Sequence, residues 1–310
     1  MPIDVQTALA WPGAERMLSW TERDVILYHL SLGAGRRGAD PELGLTYERA
    51  LQVLPTFALV AGQGISSGRR AAAGLQMPGI DVDLRRLLHV GQSLRLHRPI
   101  PPHGSARLRT RILGVWDKGS AAIIDLEHIA TAPDDTPLWT SGMQILARGE
   151  GGFGGARGEP TAPPSPRGPA DLVFDVPTTP DQALLYRLNG DLNPLHIDPD
   201  AARAAHMDRP ILHGLASLGI LTKALLDAVA GGDFGGTPTV AGRFAGVLHP
   251  GETLQVAVWQ TESGVRFEAS CPERGGAPVL SHGLLQPAGE HIALSAPTAA
   301  EDPDRHSTRN

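Results

Sequence analysis

Polar and less polar residues alternate along Arg107-Leu108-Arg109-Thr110-Arg111-Ile112, the period-two pattern of a strand with one wet face. Similar runs predict strands over 93–99, 106–116, 121–131 and 138–148, and again over 239–248, 253–260, 265–270 and 279–286. Ahead of each strand group lies helical patterning. Thr21 is placed to cap a helix over 22–32, and Pro55 precedes a more buried helical stretch over 56–64. In the second half, Asp198 with Pro199 starts a helix over 199–206, and a longer one follows over 212–229. Leu215, Leu218, Leu221 and Leu225 fall on one face of that longer helix, so this face packs into something. Helices and then antiparallel strands, twice over, form an α+β pattern. No clear identity relates the halves, so duplication rests on element order alone.

Glycine and proline dominate residues 149–169, where few side chains could build a core. The division expected is a first repeat over 1–148, a linker over 149–169, a second repeat over 170–290 and a disordered tail over 291–310. The chain has 310 residues, 41% apolar and 19% charged, as in ordinary globular proteins. Its net charge of −6 argues against a general nucleic-acid binder. No apolar stretch is long enough for a membrane-spanning helix, and the first residues lack the order of a signal peptide. Cys271 is the only cysteine, so no intrachain disulfide forms. A reducing, cytoplasmic location is the default expectation.

Candidate chemistry is densest from Tyr186 to Gly219. Gly190-Asp191 and Asn193-Pro194 are turn formers, which puts Asp191 and His196 on a loop leaving a helix. A carboxylate and an imidazole that touch one water can perform the two proton tasks of hydration, and Asn193 lies between them to orient the water or His196. A developing enolate oxygen needs a donor. The backbone N–H of Gly214, at a helix N-terminus, supplies one. Each residue also has a plainer reading: Asp191 as a turn residue, His196 as a core or surface histidine, the leucine stripe as core. Asp198 is better explained as a cap than as a metal ligand. His196-x-Asp198 with His206 lacks familiar zinc spacing, so no metal is expected. Gly214–Gly219 is no dinucleotide fingerprint.

The segment Tyr186-Arg187-Leu188-x-Gly190-Asp191-x-Asn193-Pro194-Leu195-His196-x-Asp198-Pro199, followed by Pro210-Ile211-Leu212-His213-Gly214-Leu215, resembles the signature of the MaoC-like, hydratase-type dehydratases. Leu87-Leu88-His89, Trp116-Asp117-Lys118-Gly119 and Gly151-Gly152-Phe153-Gly154-Gly155 are similar to the first half of two-repeat members. Arg243-Phe244 and His249-Pro250-Gly251-Glu252-Thr253-Leu254 are similar to the family's later strand and turn. The resemblance implies a double hot-dog fold, each repeat wrapping an antiparallel sheet around a long helix. It implies an (R)-specific 2-enoyl-CoA hydratase, or the reverse dehydratase, acting on an acyl-CoA thioester with no cofactor. Asp191 and His196 are then the catalytic pair, supported by Asn193. Gly214 and His213 belong to the thioester-binding group, with Tyr28 and Glu48 of a first half that lacks catalytic residues and accommodates the acyl chain. A homodimer is the assembly implied. A hot-dog thioesterase and a non-catalytic acyl-thioester binder are the alternatives.

Overall fold

In the computed structural model, which describes residues 3–36, 42–64, 74–158, 165–166, 168–232, 234 and 236–287, the alternating segments pair into one ten-stranded antiparallel sheet. The first half runs α1 (Val5–Ala10), β1 (Ala14–Trp20), α2 (Glu22–Ser31), α3 (Leu43–Thr46), β2 (Gly74–Met77), β3 (Ile80–Asp83), β4 (Leu87–Leu96), β5 (Gly104–Asp117), β6 (Ala121–Thr131) and β7 (Pro137–Arg148). The second runs β8 (Leu172–Pro177), α4 (Gln182–Tyr186), α5 (Pro199–Ala204), α6 (Gly214–Ala230), β9 (Thr239–Phe244), β10 (Thr253–Thr261), β11 (Gly264–Cys271) and β12 (Ala277–Gln286).

The sheet order is β1-β5-β6-β7-β4-β9-β12-β11-β10-β8. Counting outward from the central β4–β9 seam, the first half contributes β4, β7, β6, β5 and β1, and the second β9, β12, β11, β10 and β8. These are the same five strands in the same connection order, so the duplication inferred from element order is a duplication of topology. The seam is an antiparallel ladder from Gly91↔Arg243 to Arg95↔Thr239. Backbone hydrogen bonds therefore fuse the two repeats.

The two halves differ most in the helix that each sheet encloses. α6 is apolar on nearly every side, and 13 of its 17 residues are buried, not just the leucine stripe expected from spacing. Such a helix belongs in the centre of a core. Among the described residues of the first half, the 3-10 turn Pro55–Leu59 packs on α6 and β4, and no helix as long as α6 precedes β4. The helix expected over 56–64 does not form among the described residues. Residues 55–59 form the 3-10 turn instead, and the left-handed Gly62 (φ +66°) interrupts any helical continuation within the expected span. The first half's longest described helix is the ten-residue α2, started by a capping box between Thr21 and Asp24.

Pairing also moved some boundaries. β4 begins at Leu87, six residues before the expected strand, because Leu87 and Leu88 ladder with β7 before a bulge at His89/Gly91. β1, β8 and the β2–β3 hairpin, turned by Pro78-Gly79, lie outside the expected strands, although β3 (Ile80-Asp81-Val82-Asp83) and β8 alternate in burial. In the described part of residues 149–169 there is neither helix nor strand, but the glycine run is anchored. Asp117 accepts hydrogen bonds from the amides of Gly119, Gly152 and Gly154, each at 2.8 Å. The expected tail over 291–310, and 159–164 and 167 of the expected linker, lie outside the described residues.

His29 links three first-half segments. It is fully buried on α2, its Nδ1 donates to Leu45 O at 2.8 Å, and its Nε2 accepts from Leu54 N at 3.1 Å. Both bonds require the neutral tautomer. Burial pushes its pKa down to about 4 from an ordinary 6.5. The unfolded chain therefore takes up this proton first as pH falls, and stability is lost between pH 6.5 and about 4. The difference corresponds to about 3 kcal/mol for this group. We expect the thermal midpoint to fall already between pH 6.5 and 5, before most carboxylates titrate. A midpoint that stays level across that window would contradict the assignment.

Candidate active site

The loop from Gly190 to Ile197 leaves α4 through a 3-10 turn, Arg187–Asn189, and is fixed from the first half. Asn189 Nδ2 donates to Ser31 Oγ at 3.0 Å and to Tyr186 O at 2.9 Å. Gln182 Nε2 donates to Ser31 O at 2.5 Å. Gly190 has φ +120°, and a Cβ there would lie 2.0 Å from Gln63 O. Only glycine allows both that backbone conformation and that approach.

Within the loop, two short side chains set the turn. Asp191 Oδ1 accepts from Asn193 N at 3.1 Å, and Asn193 Oδ1 accepts from Leu195 N at 3.1 Å. Asn193 thus caps the 3-10 turn Pro194–His196. Its amide oxygen is engaged in shaping the loop, so its part in the site is to present His196. The turn swings His196 inward, leaving it 8% exposed, while the Asp191 side chain stays open to solvent. His196 Nε2 and Asp191 Oδ2 are 3.8 Å apart. That is too long for a direct hydrogen bond and short enough for one atom to touch both. His196 Nδ1 donates to Ile211 O at 2.8 Å, which leaves a lone pair on Nε2 facing the carboxylate. Burial lowers the His196 pKa, against the opposing pull of Asp191 and the Ile211 bond, so the ring is neutral at pH 7.

The strand-like segment before α6 closes the other side. Leu212 N donates to Leu248 O at 2.6 Å. Buried Glu252 accepts from Arg209 at 3.0 Å, Arg274 at 3.2 Å and the His249 amide at 2.8 Å, fixing the entry to this segment. His213 then stacks on His196, with ring centroids 3.6 Å apart and planes 25° from parallel. Its Nε2 lies 3.3 Å from Asp191 O, and its buried Nδ1 has no hydrogen-bond partner. Burial first, and His196 second, hold its pKa far below the ordinary value. Gly214 is the first residue of α6, and its amide points out of the helix unpaired by the helix ladder. A Cβ on Gly214 would meet the Phe244 ring at 3.2 Å.

Asp191, His196 and His213 place one potential ligand atom each within 4.8 Å of one another. They are the group among the described residues that could hold a metal. His206 is exposed beyond the end of α5, and Asp198 caps that helix through Asp200 N, so neither joins them.

Two of the expected residues lie elsewhere. Tyr28 is buried in the core, with ring contacts to Phe57 at 5.7 Å and Tyr186 at 6.2 Å. Glu48 is exposed on the 3-10 turn Glu48–Ala50. Three residues quoted in the sequence motifs, but given no role in the site there, surround the pair. The Tyr186 ring lies 4.9 Å from His213, and its buried hydroxyl has no partner. His89 of the first half packs edge-on against Phe244 of the second at 4.9 Å, close enough to Asp191 to feel its charge. Tyr186 opens the signature motif, which was the available signal. His89 ends the Leu87-Leu88-His89 motif and Phe244 the Arg243-Phe244 motif, so family likeness was the available signal for these two.

Comparison with known proteins covers both halves. The family described as MFE-2 hydratase 2 N-terminal domain matches residues 18–149, and that described as MaoC like domain matches 162–276. The enoyl-CoA hydratase ChsH3 of Mycobacterium tuberculosis is 46% identical over 291 residues, 93% of this chain and 100% of its own length. Among solved structures, a MaoC-like dehydratase from Phytophthora capsici superposes with a TM-score of 0.80 at 27% identity, covering 93% of this chain and 99% of that one. A Mycobacterium tuberculosis protein described as having a double hot-dog fold superposes at 0.53 with 14% identity, covering 91% and 96%, a likeness of fold alone.

Proposed function

Because the chain belongs to the MaoC-like, hydratase 2 family of enoyl-CoA hydratases, we propose that its loop Asp191–His196 hydrates a trans-2-enoyl-CoA thioester to the (R)-3-hydroxyacyl-CoA. The enzyme is a hydro-lyase, and its fold is the double hot-dog. The observation that carries the site assignment is the 3.8 Å separation of His196 Nε2 and Asp191 Oδ2, both free to accept. Between them they can accept the two O–H bonds of one water and hold its oxygen against the substrate β-carbon. As the C–O bond forms, the pair takes one proton from the water and one proton is returned to the α-carbon. The net change is H and OH across the double bond. Charge passing to the thioester oxygen is met by the Gly214 N–H and the positive end of the 17-residue α6. His213 fixes the plane of His196 by stacking, and Asn193 fixes the turn.

The first half supplies the other wall. Among its described residues the turn at Pro55–Leu59 stands where the second half has its long helix, and we assign this half to the acyl chain rather than to chemistry. Tyr28 and Glu48 are assigned to that wall on family likeness, Tyr28 as a core support behind Tyr186. No described helix is long and apolar enough to cross a membrane. We assign the enzyme to the cytoplasm, consistent with its unpaired Cys271, and expect a homodimer.

Crotonyl-CoA tests the reading. The conjugated absorbance should disappear without release of free thiol, and the product should be oxidised by a dehydrogenase specific for the (R)-3-hydroxy thioester. Thiol release would mean thioester hydrolysis instead. Oxidation only by the (S)-specific enzyme would contradict the stereochemistry.

A further inference from the structure

We propose that the guanidinium of Arg187 receives an oxyanion carried by the thioester substrate and so sets the affinity for it. The identity of the substrate rests on the function proposed above, but the site can be tested without turnover. Arg187 opens the turn Arg187–Asn189, which packs on α2. Its carbonyl accepts from Gly190 N at 3.0 Å, at the entry to the catalytic loop. No step of the proposed hydration uses its side chain. That side chain is half-buried, and its Nε is buried without a hydrogen-bond partner. Its two Nη groups make no hydrogen bond or ion pair among the described residues, so they remain open to a ligand. Arg274 and Arg266, half-buried like it, are engaged by Glu252 at 3.2 Å and by Gly283 O at 3.0 Å. A guanidinium that has lost part of its hydration and gained no acceptor is costly until a ligand supplies one. Its planar fork fits a carboxylate or a phosphate. The fork is close to the chemistry. After burial and the His196 ring, the Arg187 charge also holds the His213 pKa down, and His213 stacks on His196. A coenzyme A thioester is strongly anionic, and a chain of net charge −6 repels it unless a local cation meets it. Such a substrate has two sources of an oxyanion, the phosphates of coenzyme A and a carboxylate on the acyl chain.

Calorimetry with ligands that cannot be hydrated tests the site. Coenzyme A, butyryl-CoA and glutaryl-CoA, whose saturated chain ends in a carboxylate, would be titrated into wild type, Arg187→Met and Arg187→Lys. If the phosphates are the anion, Arg187→Met should bind all three roughly 10–100-fold more weakly, the worth of a hydrogen bond to a charged group. If the acyl carboxylate is the anion, only glutaryl-CoA should weaken, to the level of butyryl-CoA. Arg187→Lys keeps the charge without the fork and should fall between. Affinity should also drop with added salt more steeply in wild type than in Arg187→Met. Arg98→Met removes the same charge from an exposed site elsewhere and should bind as the wild type does. Methionine keeps an apolar stem and removes an unpaired buried nitrogen, so the melting point of Arg187→Met should not fall. A clear fall in melting point, or weaker binding with the salt dependence of the wild type, would mean a packing role and overturns the site. Equal affinity of wild type and Arg187→Met for all three ligands, or no binding by the wild type, overturns it as well. Binding that depends on Arg187 in a protein that hydrates nothing leaves the anion site standing and removes the proposed reaction. Hydration of crotonyl-CoA with binding indifferent to Arg187 does the reverse.

Discussion

Turnover is expected to fall by roughly a hundred to ten-thousand-fold in Asp191→Asn and in His196→Gln, the range that positioned acid–base groups contribute. The two variants should differ in stability, which makes the pair informative. Asp191 is half-exposed, and its one hydrogen bond is the Asn193 amide on Oδ1. An asparagine oxygen can accept that same bond, so the loop keeps its turn and the melting point should barely change. His196 is buried, stacked on His213 and bonded to Ile211 O. Glutamine can reach the carbonyl but loses the stack, so a moderate drop in melting point should accompany the loss of activity. Asp191→Asn is therefore the cleaner test. A well-folded Asp191→Asn enzyme with near-normal turnover would sink the mechanism.

Gly214→Val is expected to cost about a hundred to a thousand-fold in kcat/KM, the worth of one donor to a developing oxyanion. Two causes could produce that loss. A side chain at the head of α6 could deny the thioester oxygen access to the amide. It would also press on Phe244, since a Cβ already meets Cδ1 and Cε1 of that ring at 3.2 Å. Phe244 in turn packs on His89, so the pressure crosses the seam between the repeats. A double variant separates the causes. Gly214→Val with Phe244→Ala removes the clash, and the melting point should recover relative to Gly214→Val alone. If amide access matters, turnover per folded molecule stays low in the double variant. Recovery of both would reduce Gly214 to a packing residue.

Much of this was legible in the chain because it is local. The cap of α2 lies within Thr21–Asp24, and that of α5 within Asp198–Asp200. The turn presenting His196 is written in Asp191, Asn193 and Pro194, three neighbours whose side chains and ring bond or constrain their own backbone. Long strands such as β5 and β6 alternate because one face of each is wet.

The remaining features depend on partners far along the chain. His213 stacks on His196 because the segment before α6 pairs with Leu248 and with the Asp191 carbonyl. Asn189 meets Ser31 across 158 residues, and Gly190 meets the backbone of Gln63. His89 and Phe244 come together because β4 and β9 form the seam. Local periodicity reports which face of an element is buried, not which element covers it. For the same reason α6 looked one-sided in sequence and is enclosed all round, since sheet strands from its own half and the Pro55 turn of the other close on it together. Local sequence specifies the donors and the loop that carries them. The packing of two fused repeats decided which donors face one another, because side chains converge only where distant backbone is held by hydrogen bonds and buried contact.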